Sequence, residues 1–176
     1  MTLKNYKLGM VLGFLVLSFI LPGCINYSFT GTNIDPSIKT MSINNFENNS
    51  GEGPSFLTTL VSEEFRNYFQ RNSNLKLVNN GGDIEIEGQI LSYSFSPAAI
   101  QSDDRLGDIA GANRLTIRLQ VKYRNSKDPK QDFEQSFSSF ADFPQNVNIS
   151  AIDERSIRQI TERMVQDVFN KTLANW

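Results

Sequence analysis

The clearest pattern in the chain is an unbroken alternation from Arg114 to Arg124. Leu115, Ile117, Leu119, Val121 and Tyr123 fall on one parity, and Arg114, Thr116, Arg118, Gln120, Lys122 and Arg124 on the other. Side chains on a strand point to opposite faces in turn, so this is a strand with one apolar and one polar to basic face. Three more segments have strand character: Ile38 to Phe46, Asp83 to Phe95 and the phenylalanine-rich Asp132 to Phe143. In the second of these, Ile84, Ile86 and Ile90 share a parity that Leu91, Tyr93 and Phe95 abandon. A bulge near Gly88, or a strand end covered on both faces, accounts for the switch. Two segments keep helical spacing instead. Phe56, Leu57, Leu60, Val61, Phe65, Tyr68 and Phe69 recur at three- and four-residue intervals in Ser55 to Gln70, with Ser55 as the expected N-cap. Ile157, Ile160, Met164, Val168 and Phe169, widened by Val165 and Leu173, do the same in Ser150 to Leu173.

Between these elements lie turn-forming residues: Glu47 to Pro54, Asn79 to Gly82, and Asn125 to Lys130 with Pro129 setting the turn. Leu75 to Val78 is a short apolar run, and Ser96 to Ala112 reads as a long polar loop. The order is strand, helix, a run of strands, helix. One-sided helices and one-sided strands bury their apolar faces against each other. The expected fold is therefore α+β: a two-layer sandwich with two helices on one face of a mainly antiparallel four-stranded sheet.

The N-terminus follows another logic. Lys4 and Lys7 precede an apolar or small-residue run from Leu8 to Leu21, too short to span a bilayer with ease but the length of a signal-peptide core. Leu21-Pro22-Gly23-Cys24 follows, an aliphatic residue, a variable one, a small one and cysteine, the order in which bacterial lipoprotein signals end. The expected organisation is a signal peptide over 1–23, a lipid-anchored tether over 24–37 and one domain over 38–176. An ordinary signal peptide with an incidental cysteine, or an uncleaved N-terminal anchor, is the alternative. Cys24 is the only cysteine, which rules out a disulfide framework, and lipidation gives the lone thiol a use. Ile25 stands where an aspartate would mark inner-membrane retention, so the expected location is the outer membrane, with the domain facing the periplasm.

Composition narrows the chemistry. Without Lys4 and Lys7 the 17 basic residues become 15 against 19 acidic ones, a net charge of −4, which does not suit nucleic acid. The chain has no histidine, so the commonest general base and metal ligand is missing and a Ser-His-Asp triad is impossible. No enzyme, no metal site and no cofactor beyond a covalent lipid on Cys24 is expected. Asp103-Asp104-Arg105-Leu106-Gly107-Asp108 lacks the ligand spacing and terminal glutamate of a calcium loop. The pairs Glu63-Glu64 and Asp153-Glu154 fall on helices and read as polar faces.

Several segments together resemble the LptE-like family of lipopolysaccharide-assembly lipoproteins in its Bacteroidetes-type form. They are Asn26 to Gly31 after the anchor, Asn44-Asn45-Phe46, Asn113 to Ile117, Lys127 to Phe143, and a C-terminal helix ending at Trp176. The resemblance implies two helices on a four-stranded sheet and a partner, the LptD-like β-barrel lipopolysaccharide translocon. In that barrel such proteins act as plug and assembly factor and support delivery of lipopolysaccharide to the outer leaflet. It transfers a role and no site. A periplasm-facing ligand-binding or envelope-maintenance lipoprotein without a barrel partner is the alternative.

The residues themselves offer one candidate contact surface. Arg114, Arg118, Lys122 and Arg124 form a row on one strand face, alternate members roughly 6.5–7 Å apart. Guanidinium groups match phosphate geometry, so the row suits lipid phosphates or a partner surface. The competing expectation is a solvated face whose charges pair across strands with Glu85, Glu87 or Glu134.

Overall fold

The computed structural model describes residues 34–98 and 111–173. The signal peptide, Cys24, most of the tether, the Asp103 to Asp108 segment and Trp176 lie outside the described residues. Strands are β1 Thr40–Ile43, β2 Glu47–Asn48, β3 Lys76–Val78, β4 Ile84–Ala98, β5 Ala112–Asn125 and β6 Phe133–Pro144. Helices are α1 Leu57–Asn72 and α2 Glu154–Thr172, and short 3-10 turns occupy Pro129–Gln131 and Ile149–Ala151.

The α+β sandwich is present, but the sheet is mixed and has six strands rather than four antiparallel ones. Its order is β3-β1-β4-β5-β6, with β2 also on β4. β4, β5 and β6 form an antiparallel meander, whereas β1 runs parallel to both β3 and β4, and β2 parallel to β4. The parallel part follows from connectivity. α1 carries the chain from β1 back to the start of β3, as parallel neighbours require. The short run at Leu75 to Val78 is thereby an edge strand, a role its few residues do not announce.

The first expected strand is also broken. The chain kinks at Asn44–Phe46, and the Phe46 N–H donates to the Ser62 hydroxyl of α1 at 2.9 Å. The Phe46 ring is buried, 4.5 Å from that of Phe65. It fills the space above Gly88, where an added Cβ would meet the ring at 2.0 Å. Gly88 therefore stays in register opposite Val121, and the bulge lies three residues on, between Ile90 and Ser92. Leu91 is the extra residue and is exposed; beyond it the parity flips and Tyr93 is buried. The expected loop at 96–112 is shorter than its polarity suggested, because Ser96, Pro97 and Ala98 pair with Arg114, Asn113 and Ala112.

The core lies between the sheet and both helices. α1 covers β1, β2 and β3, α2 covers β5 and β6, and the helices touch each other. Leu57, Val61, Phe65 and Phe69 of α1 and Ile160, Met164, Val165 and Val168 of α2 are fully buried. Each such side chain contributes on the order of 1.5–3 kcal/mol relative to exposure. Phe56 is exposed and Ser55 does not cap: the N-cap of α1 is Phe56 and makes no side-chain hydrogen bond. α2 starts later than its pattern implied, at Glu154, because the Asp153 carboxylate accepts the Ser156 N–H at 2.9 Å and ends the preceding turn. Ile34, within the expected tether, already packs against the core.

One carboxylate fastens the end of the sheet. Asp83 Oδ2 accepts the Lys39 and Thr40 N–H groups at 2.9 and 3.0 Å and the Thr40 hydroxyl at 2.9 Å. Its Oδ1 lies 2.9 Å from Lys127 Nζ, and its backbone carbonyl accepts the Ser126 N–H and hydroxyl, each at 2.9 Å. The Lys39 N–H, then Lys127 and Thr40, hold its carboxyl well below the usual carboxylate range. A carboxyl depressed in the fold stabilises it above the unfolded pKa, near 3.9, and that share is lost as pH falls through the lower folded value. Melting midpoints of wild type and Asp83→Asn should therefore differ by a constant gap from pH 7 to about 5, and the gap should narrow below pH about 4. A gap that widens in acid would contradict this role.

Candidate functional site: the outer face of the sheet

The sheet face away from the helices carries the four candidate cations, all on β5 and all half-buried or exposed. Register decides what each one meets. Arg124 lies opposite Glu85, and Lys122 lies between Glu87 on β4 and Glu134 on β6. Arg114 lies opposite Asp142 and binds it through two nitrogens, Nε to Oδ1 at 2.7 Å and Nη2 to Oδ2 at 2.8 Å. Those bonds hold the Asp142 carboxyl below its ordinary value and raise the Arg114 guanidinium. The same guanidinium stacks 3.8 Å above the Phe140 ring, which keeps that exposed phenylalanine partly covered.

Arg118 differs. Its neighbours across both strands are Ser92 and Ser138, so it alone of the four has no carboxylate opposite it; of the four, only Arg114 makes an ion pair among the described residues. The row expected to be basic thus has acids in register opposite three of its four cations, one of them an ion pair. The sequence displays the cations on one strand, but their partners appear only with the register of two others. An exposed guanidinium flanked by two hydroxyls is suited to an anion such as a phosphoryl or carboxylate group.

Beside this row the kink at Asn44–Phe46 opens a groove of about 390 Å³, lined by Asn44, Asn45, Glu87, Gln89, Gln120 and Lys122 among others. Its amides are tied in place: Asn44 Nδ2 donates to Glu87 at 3.3 Å, Gln120 Nε2 to Glu134 at 3.3 Å, and the Ser136 hydroxyl to Gln120 at 2.5 Å. Arg66 of α1 reaches round to the Ile43 carbonyl at 3.3 Å and to the Asn45 side chain. Only the kink reveals this groove; in an unbroken strand Asn44 and Asn45 would fall on opposite faces. No group of three or more metal-binding side chains gathers among the described residues. Glu64, expected on a polar helix face, is buried and paired with Arg158 of α2, so it belongs to the helix interface and not to any site.

Comparison with protein families matches residues 38–172 to the LptE model, described as lipopolysaccharide-assembly. The chain belongs to the LptE family. The match runs from the residue before β1's first hydrogen bonds to the end of α2, so it takes in both helices and all six strands. A search of the curated proteins gives no match. Among solved structures, a hypothetical protein from Chlamydia trachomatis aligns at 9% identity and a TM-score of 0.53 over 76% of this chain and 95% of that one. A minor lipoprotein from Acinetobacter baumannii aligns at 10% identity and a TM-score of 0.46, covering 77% and 90% of the two chains. Lipoprotein GNA1162 from Neisseria meningitidis aligns at 9% identity and 0.44, covering 75% and 99%. At such identities the Chlamydia likeness speaks for the fold alone. LptE membership makes the chain a lipopolysaccharide-assembly protein.

Proposed function

We propose that the protein is an outer-membrane lipoprotein, anchored through Cys24, that plugs and helps assemble the LptD-like β-barrel through which lipopolysaccharide reaches the outer leaflet. The observation that carries this reading is the family match over the whole sandwich. In this reading residues 1–23 are removed, 24–37 tether the domain, and 38–176 sit at or within the barrel lumen on its periplasmic side. No cofactor is needed beyond the covalent lipid, and the role is non-enzymatic. A polar outer face with matched charges suits contact with a hydrated lumen wall. Affinity purification from gently solubilised outer membranes tests the partner. A β-barrel of several hundred residues should be retained; its absence would favour a periplasm-facing lipoprotein that acts without a barrel.

Direct contact with lipopolysaccharide rests on Arg118, the cation without an acidic neighbour. Arg118→Glu should leave stability within about 0.5 kcal/mol, because the site is exposed. It should weaken binding of purified lipopolysaccharide most at low salt, where phosphate attraction is least screened. Lys122→Glu is a poorer probe, since it would place three glutamates side by side at Glu87, residue 122 and Glu134. Unchanged binding by Arg118→Glu at low salt would leave the residue as part of a solvated face.

A further inference from the structure

The connection from β3 to β4 crosses β1, which lies between them in the sheet, and both its ends are fixed at one residue. Val78, the last residue of β3, pairs with Ser42 of β1. On the far side Gly82 is buried against the same residue, and its N–H donates to the Ser42 hydroxyl at 3.4 Å. An added Cβ there would stand 2.5 Å from the Ser42 backbone nitrogen. Asp83, next in the chain, is held by the bonds described above. Between these anchors lie Asn79, Asn80 and Gly81, all exposed.

Asn80 is the one asparagine of the chain followed by glycine. An asparagine side chain is open to attack by the backbone nitrogen of the next residue, which closes a five-membered imide. Glycine permits this best, having no Cβ to crowd the approach and the widest choice of backbone angles. Gly81 has a φ of +66° and open space where a Cβ would stand. Among the described residues neither its N–H nor the Asn80 side chain has a hydrogen-bond partner. Other asparagines before small residues are restrained. Asn125 is buried, with its amide bonded through both nitrogen and oxygen. Asn49 is exposed, but the nitrogen that would attack it, that of Ser50, already donates to Asn48 Oδ1 at 3.0 Å.

We propose that Asn80 is a site of spontaneous deamidation, and that its isoaspartyl product frees β3 from the edge of the sheet. The Gly81 nitrogen gives up its proton and bonds to Asn80 Cγ, the Cγ–Nδ2 bond breaks, and ammonia leaves with that proton. Water then opens the imide at either carbonyl, giving aspartate or isoaspartate at residue 80. Nothing is oxidised or reduced, and water is the only co-reactant. In isoaspartate the main chain runs through Cγ, one carbon longer between two anchors on Ser42, and a carboxylate replaces a neutral amide. Gly82 is wedged and Asp83 is tied, so the β4 side does not take up the change. β3 is three residues long and pairs only with β1, so it is the side that yields. This chemistry does not depend on the barrel role proposed above.

The test ages the full-length protein, purified in detergent, at mildly alkaline pH and follows two readouts. Mass spectrometry of the tryptic peptide from Leu77 to Arg105 should show an amide exchanged for a carboxyl at Asn80. Methylation by an isoaspartate-specific methyltransferase should identify the main product. Asn49 in the same sample should react several-fold more slowly. Brief trypsin treatment of the folded protein should cut after Lys76, exposed in β3, several-fold faster once the sample has aged. Cleavage there follows the population in which the edge is open. Asn80→Ser has no amide to lose and should keep its initial cleavage rate through the same ageing. Deamidation at Asn80 no faster than at Asn49 would overturn the site. Deamidation with unchanged cleavage, or equal acceleration in Asn80→Ser, would overturn the release of β3.

Discussion

Replacing Met164 with aspartate should unfold the domain under conditions in which the wild type is folded. Met164 is fully buried in the middle of α2, flanked on the helix by Ile160, Val165 and Val168, all without exposure. α2 lies against β5, β6 and α1, so the new carboxylate would face aliphatic and aromatic surface on every side. A charge in such a place has no partner and no water, which puts the substitution among those costing more than about 4 kcal/mol. In a domain of this size the melting midpoint should fall by roughly 10 °C or more. Met164→Leu keeps volume and polarity and should cost less than about 1.5 kcal/mol. Thermal melting of the two variants separates a buried stripe from one that awaits a partner. Similar midpoints for Met164→Asp and wild type would mean that α2 is not seated on the sheet.

The second large effect concerns the only charge held between the helices among the described residues. Glu64 is 4% exposed, and Arg158 reaches it from α2 while also binding Glu154 at 2.6 Å. Removing the arginine as Arg158→Met leaves a buried carboxylate without its cation. The cost of such an orphan is about 3–5 kcal/mol when burial is complete. The Arg158 side chain is 35% exposed, so water would reach part of the gap and about 2–4 kcal/mol is expected here. Glu64→Leu together with Arg158→Met should recover most of that loss, because apolar replacements need no partner. Denaturant unfolding of the two single variants and the double variant closes the cycle. A double variant as unstable as Arg158→Met alone would show that lost packing, not the stranded charge, sets the cost.

What could be read in the sequence was whatever periodicity alone determines. The α2 stripe and the alternation of β5 are local patterns, and each appears in the fold with the faces it announced. Glu64 was misplaced because helical spacing counts apolar residues, whereas its burial depends on an arginine 94 positions away. The parity switch places a bulge near Gly88 or a strand end covered on both faces; the bulge falls at Leu91, because Gly88 itself serves the Phe46 ring, which arrives from the kink after β1. The parallel half of the sheet was hidden for a related reason: β2 and β3 are too short for any period to show. The basic row on β5 was legible as a row. Its partial neutralisation was not, because Asp142 and Glu134 meet it only through the β5–β6 register.

The bonds of Asp83 also constrain when the domain can form. Its carboxylate reaches back 43 residues to Thr40 and forward to Lys127, so one side chain closes two long loops. Contacts so distant along the chain are entropically late, whereas the β4–β5–β6 meander assembles from neighbours. A polypeptide made or threaded through a membrane from its N-terminus presents β1 first and Lys127 nearly ninety residues later. Until β3 and β4 follow, β1, with Met41 and Ile43 buried in the finished fold, has no strand to join, and the Lys127 bond comes later still. The earliest part of the domain to emerge thus waits for partners that lie more than thirty residues on, and in that interval it needs a chaperone's protection.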